Sequence, residues 1–342
     1  MIGPPFLFDL GARGAIVLTG KDRASFLHGL VTNDTRKLTP GTGCAAAFLT
    51  PKGKMLADGV VLCEEDRLEI DCGPELAGKI ETLLRKYLVF NDVQIVDETP
   101  AHAVFHLTGE AAGDAAEDLL RKVMGPGLGA AEALPQGPHA HRGLQFPFKE
   151  NPPLPEASKP AGDDSGAPIR IVRENRTGVP GWDVRLPSSL SEEIQKNLVN
   201  GGARQATLDR LDALRIAAGI PRWGFELTET VLPDEAGLRE RGFISESKGC
   251  YIGQETVARI KTYGHVNRRL VLLSVSGGVP ARENEIFFES EKSGAVTSAA
   301  PGGAPGEAVA LAYVKSAHAN PGARLLIRTP EGDLPASVGS AP

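Results

Sequence analysis

The sequence predicts an α+β protein of several domains that ends in a small β-barrel. The chain has 342 residues and is 41% hydrophobic, which is enough for two or three separate cores. Helical and strand-like patterns alternate in the first four fifths of the chain, as in antiparallel sheets covered by helices. After Arg268 the pattern changes to short strands separated by glycine and proline turns, which is typical of a barrel.

The first 150 residues are interpreted as an N-terminal α+β region. The strand AIVLTG precedes a helix in KDRASFLHGLV, and the runs 44–50, 54–63 and 67–72 predict a meander because the turn signals PKGK and EED separate them. A helix that starts at Pro74 comes next, then strands in VQIVDE and AVFHLTG and a helix over 111–124. We expect mainly antiparallel sheet here.

Three further segments complete the predicted organisation. Residues 151–168 are rich in proline and poor in apolar side chains, so we interpret them as a linker or surface loop. Residues 169–267 form a second α+β region, with strands in IRIVREN and GWDVRLP and helices near 188–200 and 206–218. Residues 268–342 form the barrel, with strands in RLVLLSVSG, EIFF, GAVTS, EAVALAYVK and ARLLIR.

Charge and hydropathy disfavour two classes of partner. The net charge of -6 lacks the basic excess that holds a phosphate backbone, so we expect no nucleic acid. No apolar run reaches the roughly 18 residues that span a bilayer, and MIGPPFLFDLGARGAIVL lacks the basic segment of a secretory signal. We therefore expect no membrane partner, and a cytoplasmic location in a bacterium or the mitochondrial matrix in a eukaryote.

The four cysteines have no paired spacing of the zinc-finger or redox kind, which predicts neither a metal site nor a disulfide framework. Cys44, Cys63 and Cys72 fall in strand-like runs and are interpreted as core residues. His28 and His265 are candidate bases, but a lone histidine is usually a packing or surface residue.

The motif KGCYIGQE, residues 248–255, is the strongest chemical signal in the chain. Since ETVARIKTY is helix-forming, Cys250 is expected just ahead of a helix, where the helix dipole and Lys248 would both favour the thiolate. The alternative is a small buried cysteine that serves as a hydrophobe. The glycines on either side favour the chemical role, because they permit backbone conformations that a buried cysteine does not need.

These residues resemble a known family. The runs LRIAAGIPRWGFELTETVLPDEAG and FISESKGCYIGQETVARIKTYGHVNRRL are similar to YgfZ-type folate-binding proteins, which are related to the aminomethyltransferase (T protein) of the glycine cleavage system. The resemblance extends to GKDRASFLHGLVTNDTRKLTPGTGCAAAFLTPKGKMLADGVV and to the VTS and VALAYVK strands. It covers nearly the whole chain except the proline-rich segment.

The resemblance implies a ring of domains around a central tetrahydrofolate cleft. It implies a role in assembly or repair of iron-sulfur clusters, with assembly or client proteins as partners, and makes the motif cysteine the signature residue. Cys250 and Lys248 are then the candidate catalytic residues. The remaining motif residues are Gly249, Tyr251, Gly253, Gln254 and Glu255.

The strand GWDVRLP supplies candidate contacts to the folate. Alternation places Trp182 on one face with Val184 and Leu186, and Asp183 with Arg185 on the other. Asp183 resembles the T-protein glutamate that holds the pterin, and a carboxylate suits the N–H donors of a pterin edge. The alternative is a solvated pair between Asp183 and Arg185, since surface ion pairs are common and weak.

The chain departs from the T-protein pattern at three places. Ala57 and Asp58 stand where that enzyme has two aspartates, Arg176 replaces a tyrosine, and Leu211 replaces an arginine, with Arg210 one position away. One position on a helix rotates a side chain by about 100°, so Arg210 need not compensate. Arg215 matches a later family arginine. The candidate folate-binding residues are Asp58, Asp183, Arg176, Arg215 and Trp182.

Three functions follow from these features. The main reading is a tetrahydrofolate-binding accessory factor for iron-sulfur clusters that uses Cys250. The alternative is a folate-dependent aminomethyltransferase, disfavoured by Ala57, Arg176 and Leu211, so that conventional aminomethyltransferase activity is not expected. The third is a cysteine-nucleophile enzyme without folate, which would need a base near Cys250.

Overall fold

The computed structural model describes residues 3–109, 114–124, 134, 137–144 and 169–339. The predicted linker 151–168 and the first residues of the helix predicted over 111–124 lie outside them. The chain divides into two compact units, each built from separate segments. Unit 1 comprises residues 1–46, 57–208 and 245–251, and unit 2 comprises residues 47–56, 209–244 and 252–342. This division crosses the boundaries predicted at 150 and 267, which stay a prediction.

Unit 1 contains a six-stranded sheet that is antiparallel except at one edge. Its order is β11-β1-β7-β10-β9-β8, and only the β1–β11 pair is parallel. The strands are β1 (Phe6–Asp9), β7 (His102–Thr108), β8 (His141–Leu144), β9 (Ile169–Glu174), β10 (Gly181–Pro187) and β11 (Arg204–Ala206).

One face of this sheet is apolar and packs against two helices, α3 (Asp114–Met124) and α4 (Ser191–Gly201). Trp182, Val184 and Leu186 of β10 lie in this core, as the alternation of GWDVRLP predicts. Leu120 and Ile194 extend from the helices into the same cluster. The other face of the sheet carries charged side chains.

The second sheet has five strands in the order β3-β4-β5-β2-β6. Strands β3, β4 and β5 follow one another in the sheet in the same order as in the sequence, which confirms the predicted meander. Two helices accompany the sheet, α1 (Arg23–His28), shorter than predicted, and α2 (Ala77–Tyr87), which follows a 3-10 turn at Pro74–Leu76. The strands are β2 (Gly14–Thr19), β3 (Gly43–Leu49), β4 (Met55–Cys63), β5 (Arg67–Cys72) and β6 (Gln94–Asp97).

Unit 2 contains a closed six-stranded barrel in the order β12-β15-β14-β13-β16-β17, which confirms the predicted barrel. Its interior is filled by alternate apolar side chains, among them Ile286, Ala312 and Ile327. A bulge in β14 shifts the register between Val296 and Ser298. The strands are β12 (Arg268–Ser276), β13 (Glu285–Phe288), β14 (Glu291–Pro301), β15 (Glu307–Lys315), β16 (Arg324–Thr329) and β17 (Gly332–Val338).

Two helices of unit 2 precede the barrel in sequence, α5 (Leu208–Ala217) and α6 (Gln254–Tyr263). In the part of the chain that the structure describes, none of the helices is both long and apolar enough to cross a membrane. The predicted α+β class with antiparallel sheets and a C-terminal barrel is confirmed.

Candidate functional site

The charged face of the six-stranded sheet meets a charged face of the five-stranded sheet inside unit 1. Glu69 and Asp71 alternate with Leu68, Ile70 and Cys72 along β5 and therefore share one face of that strand. From the other sheet, the guanidinium groups of Arg170 and Arg185 reach these carboxylates. We call the ion pairs formed here the charged layer. Its members are Arg13, Glu64, Glu69, Asp71, His106, Arg170, Arg176, Asp183 and Arg185.

Glu69 lies at the centre of the charged layer and has no exposed surface. Its Oε2 accepts a hydrogen bond of 2.5 Å from Arg170 Nη2, and its Oε1 accepts one from Arg185 Nη2. Burial alone would raise the pKa of Glu69, but the two guanidinium groups hold it well below its usual range. Glu69 is therefore an ionised carboxylate with both oxygens paired.

Asp71 joins three arginines. Its Oδ1 lies 2.8 Å from Arg13 Nε and 3.0 Å from Arg185 Nη1, and its Oδ2 lies 3.3 Å from Arg176 Nη2. Although burial opposes ionisation, Arg13 and the other two cations lower the pKa of Asp71. Buried carboxylates of this kind stay charged only because cations accompany them.

Asp183 is fully buried and pairs with Arg176, so the alternative of a solvated pair between Asp183 and Arg185 is wrong. Arg176 binds its carboxylate through two nitrogens, at 2.5 Å from Nη2 to Oδ2 and 3.0 Å from Nε to Oδ2. His106 Nδ1 lies 2.8 Å from Asp183 Oδ1. Burial would raise the pKa of Asp183, but Arg176 and His106 keep it far below the usual value. The carboxylate predicted to anchor a pterin is thus already bound by protein donors, and Arg176 alone among these three has an exposed part, 20% of its side chain.

Asp58, on β4, differs from the carboxylates of the charged layer because none of the ion pairs among the described residues neutralises it. The side chain is half-buried, and its Oδ1 is buried with no hydrogen-bond partner among the described residues. Burial raises the pKa of Asp58 to about 6. A carboxyl group that titrates close to neutral pH can both donate and accept a proton there. The adjacent Ala57 is buried and supplies no second carboxylate.

Lys248, predicted as a catalytic partner of Cys250, is instead a buried structural cation. Its ammonium donates to the backbone carbonyls of His28 at 2.6 Å, of Asn33 at 2.9 Å, and of Val31. An ammonium has three N–H donors, so all of them are used. His28 ends α1, and the carbonyls at a helix C-terminus lack helical partners. Burial lowers the pKa of Lys248 to about 8. Lys248 therefore fixes the turn after α1.

The other motif residues of unit 1 surround this cation. Cys250 is exposed, so the interpretation of it as a buried hydrophobe is wrong. Tyr251 is half-buried, with the Lys248 ammonium 4.8 Å from its ring centre. A side chain at Gly249 would lie 3.7 Å from His28 Nε2, so the structure brings this imidazole to the motif. His28 Nδ1 in turn lies 3.1 Å from Asp34 Oδ1. Burial and then Lys248 lower the pKa of His28.

The second half of the motif starts α6 in unit 2, as predicted. Gly253 is the N-cap with a φ of 83°, and a Cβ there would come within 2.6 Å of the Thr50 carbonyl oxygen. Only glycine fits this position. Gln254 is the first residue of α6, and Glu255 places a carboxylate in its first turn, where the helix dipole favours negative charge.

Two predicted folate contacts are enclosed by protein. Trp182 is fully buried in the apolar core, with the Arg173 guanidinium 4.3 Å from its ring. Arg215, in unit 2, is buried and bonds to Glu226 Oε2 at 2.6 Å and to Ser298 Oγ at 2.9 Å. Both side chains have structural contacts that account for their positions, and their folate roles stay predictions.

The charged layer contains residues that the sequence did not single out, notably Glu69, Asp71 and Arg170. In RLEIDC the charges alternate with apolar residues, and this pattern normally indicates a solvent face. Their burial depends on the second sheet. Among the described residues, no group of three or more histidine, cysteine, aspartate or glutamate side chains is placed to hold a metal ion.

Two family models match the sequence. The GCVT N-terminal domain matches residues 6–135, and the glycine cleavage T-protein C-terminal barrel domain matches residues 268–342. The second match begins at the first residue of the barrel. An aminomethyltransferase of Thermosynechococcus vestitus is 25% identical over 337 residues, which cover 98% of this chain and 84% of the relative.

Two further similar proteins also match over most of this chain. A chloroplastic protein of Arabidopsis thaliana is 28% identical over 316 residues, covering 92% of this chain and 66% of the relative. The crystal structure of the glycine cleavage system aminomethyltransferase T from Bartonella henselae covers 100% of this chain with a TM-score of 0.78 and 20% identity, over 86% of that chain. At this identity the likeness concerns the fold. These matches are not specific to YgfZ-type proteins, and that finer assignment stays a prediction. The chain is therefore related to the glycine cleavage T protein, and it carries that protein's N-terminal domain and C-terminal barrel domain.

Proposed function

We propose that this chain binds tetrahydrofolate and acts in aminomethyl transfer. The matches to aminomethyltransferases favour this alternative over the iron-sulfur reading. The observation that carries the proposal is the carboxyl group of Asp58, whose buried Oδ1 lacks a partner and whose pKa is about 6. When bound, tetrahydrofolate would supply the nitrogen that accepts the one-carbon unit.

Asp58 would exchange a proton with the bound molecule. A buried acceptor without a partner is costly, about 1–3 kcal/mol, and a ligand N–H that bonds to it would recover this cost. Since Ala57 supplies no carboxylate, Asp58 would perform this exchange without a second acid at the adjacent position of β4. General acid–base catalysis of this kind contributes about 10²–10⁴ to a rate.

Arg176 controls whether Asp183 can also contact the pterin. Asp183 gains a free acceptor only when the Arg176 fork moves aside, and the exposed part of Arg176 gives it room to do so. Replacing Arg176 with glutamine keeps a polar side chain but removes the charge. If Asp183 is the pterin anchor, Arg176→Gln should bind tetrahydrofolate more tightly than the wild type.

The test separates binding from transfer. Tetrahydrofolate at about 100 times its dissociation constant should stabilise the protein by about 2.7 kcal/mol, seen as a rise of several degrees in the melting temperature. The wild type should also transfer the methylene carbon of an aminomethyl-loaded lipoyl carrier to tetrahydrofolate, which gives methylenetetrahydrofolate, free ammonia and the dithiol form of the carrier. Asp58→Asn should keep the thermal shift and lose about 10²-fold or more of the transfer rate.

Asp66→Asn is the matched control, because Asp66 is an exposed acid in the turn between β4 and β5. It should leave both binding and transfer unchanged. No thermal shift in the wild type would count against folate binding. A shift without transfer would leave a folate-binding protein that is not an aminomethyltransferase.

A second function, in iron-sulfur cluster assembly or repair, depends on Cys250. Cys250 is exposed, whereas Cys63 and Cys72 are buried in strands. Under this reading Cys250→Ser should bind folate normally yet fail to restore iron-sulfur enzyme activity in cells that lack the native protein. Full restoration by the serine variant would remove the chemical role. The expected iron-sulfur client or assembly proteins, and the expected cytoplasmic or mitochondrial location, are part of this second proposal.

A further inference from the structure

Unit 2 contains a cleft of about 780 Å³ whose lining includes none of the candidate folate-binding residues. One side is formed by β14 and β15 of the barrel, and the other by the segment 225–235. Its volume lies within the roughly 300–1,000 Å³ that small-molecule sites occupy. The volume of the cleft is therefore sufficient for a ligand of metabolite size.

The lining has an excess of positive charge. The five cations are Lys54, Arg268, Arg282, Lys292 and Lys315, and the three carboxylates are Glu226, Glu235 and Glu283. Glu226 is buried and already binds Arg215 and Ser298, at 2.6 Å and 2.5 Å. Glu235 accepts the Leu232 N–H at 3.0 Å and caps that turn. Two of the three carboxylates are thus engaged inside the protein.

Several cations keep donors for a ligand. Lys54 donates to the Thr230 carbonyl at 2.7 Å, which uses one of its three N–H groups. Lys292 and Lys315 contact only Glu285 and Glu291 among the described ion pairs, and neither glutamate lines the cleft. The lysine side chains are 60% and 48% exposed, so water screens these pairs and the ammonium groups can turn to a stronger anion.

Aromatic rings supply the walls between these charges. The Arg282 guanidinium lies 4.8 Å from the Phe225 ring centre, and Arg268 lies 4.6 Å from that of Tyr313. Stacking holds each guanidinium plane in place. Arg268 Nη2 donates to Glu235 Oε2 at 3.3 Å and Arg282 Nη2 donates to the Gly224 carbonyl at 2.9 Å, so a ligand would use the remaining N–H groups of each fork. Val231 and Val296 border the cleft but are only 2% and 1% exposed, so the half-buried Phe225 ring supplies most of the apolar surface. The cleft combines apolar walls with spaced cations.

We propose that this cleft binds a small organic anion that carries two or more carboxylate or phosphate groups on an apolar or planar body. The lysines and the stacked arginines would each take one anionic group, and the Phe225 ring would cover the body. This site is independent of folate binding in unit 1.

Calorimetric titration of the full chain at fixed ionic strength tests the proposal. The probes are isophthalate, which places two carboxylates on a planar ring, pyrophosphate, and neutral isophthalamide. We expect saturable binding of isophthalate or pyrophosphate and none of isophthalamide. Whichever anion binds more tightly identifies the carboxylate or the phosphate class.

The double variant Lys292→Gln/Lys315→Gln should bind the anion about tenfold more weakly or worse, because it lacks two charged donors. Arg324→Gln is the control, since it removes an exposed charge from β16 of the same barrel outside the cleft. It should bind as the wild type does. Equal weakening by the control would reveal general charge attraction and overturn the proposal. Absence of saturable binding to either anion would also overturn it.

Discussion

The two units differ in what fills the space between their strands. In unit 1 the space between the two sheets holds the charged layer, in which Glu69 and Asp183 have no exposed surface. In unit 2 the barrel interior is apolar, with Ile286 and Ile327 fully buried among other aliphatic side chains. Both interiors are largely buried, yet only the space between the sheets of unit 1 holds charged side chains.

The difference indicates where the chain gives up stability. Removing two ions from water costs several kcal/mol each, and a well-packed apolar interior of equal volume is often as stable or more so. The barrel shows that this chain can form such an interior. We infer that the charged layer is kept for what it positions, the Asp183 carboxylate and the strand that carries Asp58.

Glu69→Gln should break the charged layer most severely. It leaves Arg170 and Arg185 buried without their central carboxylate, which should cost about 3–5 kcal/mol of the free energy of unfolding. Urea denaturation followed by the fluorescence of Trp182, in a Trp223→Phe background, reports on unit 1. A cost below about 1 kcal/mol would show that the layer contributes no pairing energy.

The barrel offers the matched comparison for this variant. Ile327→Ala should cost about 2–5 kcal/mol through lost burial and a cavity. That loss should be the same at pH 4 and pH 7, since no ionisable group takes part. Dependence of the Ile327→Ala cost on pH would contradict the separation between the two interiors.

Acid should destabilise unit 1 before it affects the barrel. The pKa values of Glu69, Asp71 and Asp183 are lowered on folding, so their contribution to stability is complete above the unfolded value near 4 and is lost as pH falls below it. Each unit of lowering corresponds to about 1.4 kcal/mol. We expect the urea midpoint of unfolding to fall between pH 7 and pH 3 when Trp182 fluorescence is followed in a Trp223→Phe background. The midpoint should fall less when Trp223 fluorescence is followed in a Trp182→Phe background.

Asp58→Asn should stabilise the protein at pH 8. The pKa of Asp58 is about 6 in the folded protein and about 4 when unfolded, so the wild type loses stability as pH rises from 4 through 6. Asparagine avoids this loss, which amounts to about 3 kcal/mol for two pKa units. Below pH 4 the two proteins should be equally stable. An equal difference at pH 4 and pH 8 would show that the gain does not come from ionisation.

Cys250→Ser should have the smallest effect on stability. Because Cys250 is exposed, the change should stay within about 0.5 kcal/mol. Cys72→Ser is the comparison, since Cys72 is buried in β5, where burial raises its pKa to about 12. It should cost about 1–3 kcal/mol by placing a hydroxyl in an apolar site. A large cost for Cys250→Ser would return this residue to a packing role.

The local chemistry of the chain predicted much of the fold. Turn signals and alternation predicted the meander of β3, β4 and β5 and the barrel, and Gly253 correctly marked the start of α6. Strands β1, β8 and β11 are three or four residues long and carry too little pattern to be recognised alone. They become strands because neighbours in the sheet offer hydrogen bonds.

The candidate site was predictable only in part. The motif predicted an exposed, helix-proximal Cys250 as one alternative, but Lys248 has its donors on the turn after α1, more than 200 residues away in sequence. Likewise, GWDVRLP correctly predicts the two faces of β10 but not which partner Asp183 takes. Arg176 lies in the loop before β10, seven residues from Asp183, and His106 lies on β7, so the alternation within one strand does not place either of them beside this carboxylate.

The sequence by itself determined the elements, their faces and the relationship to the T protein, because propensity, alternation and motif spacing act over a few residues. The tertiary structure alone decided which charges are buried, which are paired and which carboxyl group keeps a free acceptor. The physical reason is that ionisation depends on burial and on neighbouring charges. Folding brings these charges beside Glu69, Asp58 and Asp183 from separations that run from seven residues, for Arg176 and Asp183, to 116 residues, for Arg185 and Glu69.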